Sequence, residues 1–289
     1  MTNGKRLRET LKGAGILVLP GVYDCVSAKI AEKCGFEVLF TSGFGISATL
    51  LGKPDFGFVT ATEMLESIGR IVKSVKVPVV ADIDTGYGNP LNVIRTVEDA
   101  VQAGAAGIIL EDQEWPKKCG HFEGKQVIAL EEHVEKIFAA KQAAGESGLV
   151  IVGRTDANAV NGLDDAIKRG WAYYEAGADV VFVEAPKSPE ELKEIGKAFP
   201  DVPLFANMVE GGKTPILSTQ ELQELGYKIV VYPLTGLFSA AYAIKASLSH
   251  LRENETTEGY SGMVDFSEFE DVVDVPVYRG QERKFSVPD

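Results

Sequence analysis

Eight short apolar runs alternate with amphipathic segments along the 289-residue chain. The runs are rich in Val, Ile, Leu and Phe and are continuously apolar, which is typical of strands buried on both faces. The segments between them carry apolar residues at helical spacing, and several end in glycine, a common helix terminator. The predicted strands are residues 16–24, 37–43, 77–84, 106–113, 149–157, 179–186, 202–210 and 228–236.

This alternation predicts an α/β protein with a (β/α)₈ TIM barrel. No GxGxxG motif follows the first strand, which weakens the alternative of a doubly wound dinucleotide-binding fold. We expect residues 1–253 to form the catalytic barrel and residues 254–289 to form a tail that packs on the barrel or on a neighbouring subunit. A largely apolar helix predicted over residues 237–253 is a candidate for exchange between subunits.

Composition narrows the function classes. With 45% hydrophobic and 25% charged residues, the chain has the composition of an ordinary globular protein. Its formal charge of −13 opposes nucleic-acid binding, and its apolar runs are shorter than the ~20 residues of a membrane span. The N-terminus lacks the apolar stretch of a signal peptide. We therefore predict a cytoplasmic protein with neither nucleic-acid nor membrane partners, and we expect His133 and His250 at its surface.

Carboxylates collect where the predicted strands end, the edge of a barrel at which its chemistry takes place. Asp82, Asp84, Glu111 and Glu184 would share one mouth, and their mutual repulsion calls for a cation. Oxygen ligands without a Cys or His partner select a hard ion, so we predict Mg²⁺, with Mn²⁺ as a substitute. Asp82 and Asp84 are two apart on a strand, so both are expected to point inward.

Two groups at the same edge favour an anionic substrate. Arg154 ends the fifth strand and has two interpretations, a structural salt bridge with Glu184 or Asp156 and a fork that grips a substrate carboxylate. The TSGFG turn offers backbone amides around Gly43 and the hydroxyl of Ser42. Each signal is weak alone, and together they predict carboxylate binding.

Cys119 lies in the sequence PKKCGHF, directly after the fourth strand. The positive charges of Lys117, Lys118 and His121 predict a lowered pKa for its thiol. A buried and unreactive cysteine is not expected among such polar neighbours, and a zinc site needs more soft ligands than one Cys and one His. A catalytic acid, base or nucleophile is the interpretation that these neighbours favour.

The motifs TSGFG, GKPDFGFVT, ADIDTGYGN, EDQEWPKKCGH, GRTDA, VEAP and YPL resemble the isocitrate lyase and phosphoenolpyruvate mutase superfamily. The resemblance covers roughly residues 8–250, and KKCGH is similar to the signature of its carbon–carbon lyase branch. It implies a Mg²⁺-dependent lyase of a small dicarboxylate, assembled as a homotetramer of helix-swapped dimers.

The resemblance also implies roles for individual residues. Asp82 would hold Mg²⁺ directly, and Asp84 and Glu111 would join largely through water. The catalytic set that it implies is Cys119, as general acid/base, with Lys117, His121, Glu184 and Asp55. The substrate-binding set that it implies is Ser42, Gly43, Phe44, Gly120, His121, Arg154, Asn207 and Pro233.

The chain looks closer to the 2,3-dimethylmalate lyase and oxaloacetate hydrolase group than to the 2-methylisocitrate lyases, which carry Arg and Tyr where this chain has Phe122 and Phe40. We therefore expect cleavage of the C2–C3 bond of a 2-hydroxy dicarboxylate, with 2,3-dimethylmalate giving pyruvate and propionate as the best guess. Oxaloacetate hydrolysis or decarboxylation and 2-methylisocitrate cleavage are the alternatives. A non-catalytic binding barrel is a remote one.

Overall fold

The computed structural model describes residues 1–286. Within them, parallel strands close into a single barrel in chain order, with β1 paired to both β2 and β8. The strands are Leu17–Val22 (β1), Leu39–Thr41 (β2), Val79–Asp82 (β3), Gly107–Glu111 (β4), Val150–Thr155 (β5), Val180–Val183 (β6), Leu204–Asn207 (β7) and Tyr227–Tyr232 (β8). This arrangement confirms the predicted (β/α)₈ TIM barrel, and the helix swap stays a prediction.

Helices connect the strands and cover the outside of the barrel. They are Asn3–Leu11 (α1), Cys25–Lys33 (α2), Gly43–Ile46 (α3), Ala61–Ser74 (α4), Pro90–Ala103 (α5), Leu130–Ala144 (α6), Ala157–Val160 (α7), Leu163–Ala176 (α8), Pro189–Ala198 (α9), Thr219–Glu224 (α10), Thr235–Asn254 (α11), Phe266–Val272 (α12) and Val275–Phe285 (α13). A π-helix, Ser47–Leu51, continues α3, and a 3₁₀-helix, Gly145–Ser147, follows α6.

The continuously apolar strands follow from a core on each side of the sheet. Ile109 packs with the residues that fill the barrel interior, whereas its neighbour Ile108 packs against the surrounding helices. Every residue of β3, β4 and β6 is buried. Because successive side chains of a strand point to opposite faces, both faces must be apolar.

Local sequence signals set the helix ends. The Thr60 side chain caps α4, and Glu63 completes a reciprocal capping box. Asn89 caps α5, whose first residue is Pro90. Gly104 and Gly177 end α5 and α8 with φ values of 90° and 117°, which L-residues with a side chain rarely adopt.

The C-terminal part of the chain departs from the regular barrel. In the described part of the chain, α11 is 20 residues long and none of its residues is buried. The following helices lie against α2, where Lys29 pairs with Asp274 and Lys33 lies 3.1 Å from Asp271. Across residues 1–286, no helix combines the length and apolarity needed to cross a membrane.

The expectation that His133 is a surface residue is wrong. Its side chain is fully buried in α6, and its ring centroid lies 4.5 Å from that of Tyr173 on α8. Burial, together with the charges of Lys136 and Arg169, lowers the pKa of His133 to about 3. Polar neighbours in sequence misled the prediction because α6 packs between two other helices. His250, in contrast, is partly exposed on α11.

Candidate active site

A cavity lies at the carboxyl ends of the strands. The predicted site residues in its wall are Ser42, Gly43, Phe44, Asp55, Asp82, Lys117, Cys119, Gly120, His121, Arg154, Glu184, Asn207 and Pro233. The other two, Asp84 and Glu111, stand behind this wall, in contact with Lys117 and Arg154 respectively. The fold thus gathers every predicted residue at one place, although the segments that carry them are far apart in sequence.

Lys117 neutralises two of the acids. Its buried Nζ lies 2.6 Å from Asp55 Oδ1 and 2.6 Å from Asp84 Oδ1. Burial alone would lower the pKa of Lys117, but the charges of Asp84 and Asp55 outweigh that effect and raise it well above its ordinary value. The side chain is therefore a permanent cation, and its charge is committed to these carboxylates.

The predicted low pKa of the Cys119 thiol is wrong. Burial, with smaller contributions from the charges of Asp55 and Glu184, raises the pKa of this thiol to about 11. A hydrogen bond from the His121 backbone N–H and the charge of Lys117 oppose the increase without reversing it. The sequence showed the nearby lysines but gave no sign that Cys119 is withdrawn from water. At neutral pH the group is a thiol, which can donate a proton.

Arg154 takes part in a network of buried ion pairs. Its Nε lies 2.9 Å from Asp156 Oδ2, and its Nη2 lies 3.0 Å from Glu111 Oε2 and 3.5 Å from Glu184 Oε2. Within residues 1–286, Nη1 donates no hydrogen bond, while the side chain lines the cavity. The structural salt bridges to Asp156 and Glu184 are therefore present, and the N–H groups of Nη1 have no acceptor among the described residues.

The acids proposed for the metal lie together, although not by strand alternation. β3 ends at Asp82, and Asp84 follows with φ of 49°, a conformation that L-residues rarely adopt. The Asp84 N–H donates to Asp82 Oδ1 at 3.1 Å. Burial and the charge of Asp84 raise the pKa of Asp82 to about 6. The backbone therefore brings two carboxylates together at an energetic cost, as at many functional sites.

These acids suit a hard cation. Across the described residues, Glu111 Oε1 is buried without a hydrogen-bond partner, and burial raises the pKa of this carboxyl well above its ordinary value. Nowhere in residues 1–286 do three carboxylate, thiol or imidazole groups converge closely enough to hold a metal by themselves. Magnesium commonly keeps several waters and takes one or two carboxylates. The geometry fits direct binding by Asp82 alone, with Asp84 and Glu111 behind it.

Three residues that the sequence analysis missed support the loop over the cavity. Gln113 accepts a hydrogen bond from the Lys118 N–H at 2.9 Å and donates to the Lys118 carbonyl at 2.8 Å. The buried Lys125 ammonium donates to the Gly120 carbonyl and lies 2.7 Å from Asp156 Oδ1. Gly212, on the loop after β7, touches the His121 ring. No sequence pattern pairs these residues with their partners.

The remaining wall of the cavity is apolar. Phe40, Ile109, Phe182, Phe205 and Val231 come from the barrel interior. Val209 and Leu234, which follow β7 and β8, extend this surface. Apart from Phe40, the sequence analysis did not connect these residues with the site, because interior strand residues have the same character whether or not they face a ligand. The cavity wall therefore combines charged and apolar side chains, and the Arg154 guanidinium lies 5.3 Å from the centroid of the Phe182 ring.

Comparison with known proteins places this site in a family. Residues 7–252 match the sequence profile of phosphoenolpyruvate phosphomutase. The chain belongs to this family. It is 46% identical over 286 residues to a chloroplastic carboxyvinyl-carboxyphosphonate phosphorylmutase of Arabidopsis thaliana, covering 97% of this chain and 84% of that protein. It is 43% identical over 287 residues to a 2,3-dimethylmalate lyase of Eubacterium barkeri, covering 99% of each.

Solved structures that resemble this chain include proteins of the same superfamily. A structure of oxaloacetate acetylhydrolase with the inhibitor 3,3-difluorooxalacetate superposes with a TM-score of 0.93 at 33% identity, covering 98% of this chain and 97% of that one. The family match and the relatives with lyase names assign the chain to the carbon–carbon lyases of the isocitrate lyase and phosphoenolpyruvate mutase superfamily. Members of this superfamily generally depend on magnesium.

Proposed function

We propose that the protein is a magnesium-dependent lyase that cleaves the C2–C3 bond of an alkyl-substituted 2-hydroxy dicarboxylate. The best single substrate is 2,3-dimethylmalate, cleaved to pyruvate and propionate. The observation that carries the proposal is the mixed wall of the cavity, in which Cys119, Arg154 and Asp82 lie together with aromatic and aliphatic side chains. Carboxylates would bind at the charged groups, and methyl groups would pack on the apolar side chains.

The charge of the wall limits the number of carboxylates. Among the described residues, the lysine and arginine side chains in the wall are Lys117 and Arg154. Lys117 is committed to two acids, and in Arg154 only Nη1 has no acceptor among the described residues. If magnesium binds one substrate carboxylate and Arg154 binds a second, a third carboxylate would lose its hydration without gaining a cation, which costs free energy. This distribution favours a dicarboxylate over a tricarboxylate such as 2-methylisocitrate.

The residues supply the steps of a retro-aldol cleavage. Magnesium, held by Asp82 with Asp84 and Glu111 behind it, would polarise the C2 hydroxyl and the adjacent carboxylate. The hydroxyl proton passes to solvent water, which returns a proton to the Cys119 thiolate after turnover, and the oxygen electron pair forms the C2 carbonyl while the C2–C3 bond breaks. The bonding pair passes to C3 and spreads into the carboxylate attached to it. Cys119 then delivers its thiol proton to C3, a role that suits a group kept protonated by burial.

A substrate panel tests this proposal. Purified protein with Mg²⁺ is given malate, 2,3-dimethylmalate, 2-methylisocitrate, isocitrate and oxaloacetate, and pyruvate, glyoxylate and oxalate are measured separately. We expect dimethylmalate to be turned over best by orders of magnitude, with activity lost in EDTA and restored by Mg²⁺. Preference for 2-methylisocitrate would contradict the charge argument. No turnover of any substrate would leave a binding barrel as the explanation.

Oxaloacetate hydrolysis or decarboxylation is the second candidate. It is favoured by the close superposition on oxaloacetate acetylhydrolase. Against it, Pro233 stands in the wall directly after β8 and offers no hydroxyl to hold a hydrated ketone. The same panel separates the two, because only the hydrolase or decarboxylase requires a 2-keto acid.

We also propose a homotetramer built from helix-swapped dimers. The support is α11, which exposes large apolar side chains along its length, among them Tyr242, Ile244 and Leu248 at 78%, 58% and 58%. Light scattering on wild type and on Tyr242→Glu/Leu248→Glu tests it, since the variant should give a smaller species. An equal mass for both would contradict this interface. The cytoplasmic location and the lack of nucleic-acid and membrane partners stay predictions.

A further inference from the structure

The His121 ring is held between two loops. Its Nδ1 accepts a hydrogen bond from the Lys213 backbone N–H at 3.0 Å, across the gap between the loops after β4 and β7. Its Nε2 lies 3.5 Å from Glu184 Oε1, beside the cavity. In the described part of the chain, this buried Nε2 has no hydrogen-bond partner. One ring nitrogen is thus hydrogen-bonded by the protein, and the other lies beside Glu184 at the edge of the cavity, beyond hydrogen-bond range of the described residues.

A tight turn brings the backbone to the ring. The Gly212 N–H donates to the Val209 carbonyl at 3.0 Å, and this bond folds the chain back toward His121. A Cβ atom at Gly212 would lie 2.8 Å from His121 Nδ1 and 2.9 Å from its Cε1. Those distances are too short for non-bonded atoms. Any side chain at this position would therefore displace the ring or open the turn.

This contact decides where the ring carries its proton. Burial lowers the pKa of His121, and Arg154 and Lys125 lower it further against the opposing charge of Glu184, so the ring is neutral at pH 7. A neutral imidazole has one N–H, and the nitrogen that accepts a hydrogen bond cannot carry it. With Nδ1 accepting from Lys213, the proton lies on Nε2.

We propose that the Gly212–Lys213 turn is a positioning element that fixes His121 as an Nε2–H donor directed into the cavity. The donor would bind a substrate oxygen that gains negative charge during cleavage, which is the kind of preformed contact that stabilises a transition state. The tautomer is a property of the fold, and only the identity of the bound oxygen rests on the proposed lyase function.

Ring ¹⁵N NMR of histidine-labelled protein tests the tautomer without an activity assay. The chain has 3 histidines, so the spectrum is simple, and His121→Gln identifies the His121 signals. We expect a protonated Nε2 and an unprotonated Nδ1 in wild type at pH 7. A protonated Nδ1 would overturn the proposal even if the protein proves to be an active lyase. The NMR measurement needs no turnover, so it tests the tautomer even if the protein cleaves none of the substrates in the panel.

Two adjacent variants separate the backbone contact from the side-chain contact. Gly212→Ala should disturb the tautomer and lower kcat about a hundredfold, with a smaller change in KM, because small displacements of a catalytic group have effects of this size. Lys213→Ala keeps the N–H and loses only the ion pair with Glu123, so it should stay within about threefold of wild type. Circular dichroism checks folding. An unchanged tautomer and kcat in Gly212→Ala would refute the proposal, as would equal damage from both variants.

Discussion

Glu111 and Asp112 are neighbours at the end of β4, and both are buried, yet their surroundings differ. Asp112 accepts hydrogen bonds from four donors, which are the Thr155 hydroxyl at 2.7 Å, the Asp156 N–H at 2.8 Å, the Tyr173 hydroxyl at 2.7 Å and Arg169 Nη1 at 3.1 Å. Glu111 directs Oε2 to Arg154, and within residues 1–286 its Oε1 has no partner. Among the described residues, the protein therefore supplies hydrogen bonds to both oxygens of Asp112 but leaves one oxygen of Glu111 without a partner.

The difference shows how the fold separates stability from function. Alternation along the strand sends Asp112 outward, where residues of β5 and α8 surround it, and sends Glu111 toward the barrel mouth. A buried acid that receives all its hydrogen bonds from the protein stabilises the native state, and one that lacks them is available to a ligand. Substitutions in the two regions should therefore be detected by different measurements.

The largest effect is expected at the open region, from Cys119→Ser. If the thiol supplies the proton to the departing fragment, kcat should fall about 10²- to 10⁴-fold. The midpoint of urea unfolding should hardly move. Steady-state kinetics with the best substrate of the panel measures this, and Cys34→Ser, at an exposed cysteine, is the matched control. A Cys119→Ser enzyme as active as the control would remove Cys119 from the mechanism.

Next in size is the contrast between the two neighbours themselves. Asp112→Asn leaves the charge of Arg169 without its buried partner and should lower the free energy of unfolding by about 3 kcal/mol. Glu111→Gln should change stability by less than about 1 kcal/mol, because site residues are not optimised for stability. Its activity should nevertheless fall. Urea denaturation and kinetics on both variants test this prediction. Equal destabilisation by the two substitutions would contradict the assignment of Asp112 to stability and of Glu111 to the site.

A smaller effect is expected from Lys125, which connects the loop over the cavity to Asp156. Lys125→Met removes the ammonium that joins the Gly120 carbonyl to Asp156, and the looser loop should lower kcat about tenfold. Lys118→Met is the control on the same loop, because its ammonium donates to the Gly124 carbonyl at an exposed position. Initial rates at saturating substrate measure both. Comparable losses would show that loop charge in general, and not the buried link, supports the site.

The smallest effect at neutral pH concerns His133, which is buried in α6. His133 has a folded pKa of about 3 against an ordinary value of 6.5. The unfolded chain therefore binds a proton between these values while the folded protein does not, so stability falls as pH drops below 6.5 and is unaffected above it. The slope should approach about 1.4 kcal/mol per pH unit. His133→Phe should lose this contribution, which unfolding from pH 7 to 4.5 measures. An identical slope in the variant would contradict it.

The sequence by itself determined the barrel and the meeting of the strand-end residues at one edge of it. Strands buried on both faces must be apolar throughout, so their number and order are visible in the chain. Because parallel strands of a closed barrel end at one edge, the polar residues that follow them had to meet. Asp82, Arg154 and Cys119 were found in this way, without knowledge of any contact.

Only the tertiary structure decided how these groups are charged and connected. The sequence shows Lys117 two residues from Cys119, but the ammonium pairs with Asp55 and Asp84, and burial leaves the thiol protonated. His133 looked exposed and is enclosed, and the partner of His121 lies 92 residues away. Charge state depends on exclusion of water and on distances of a few ångströms. Both are set by packing between segments that are remote in sequence, which no local pattern encodes.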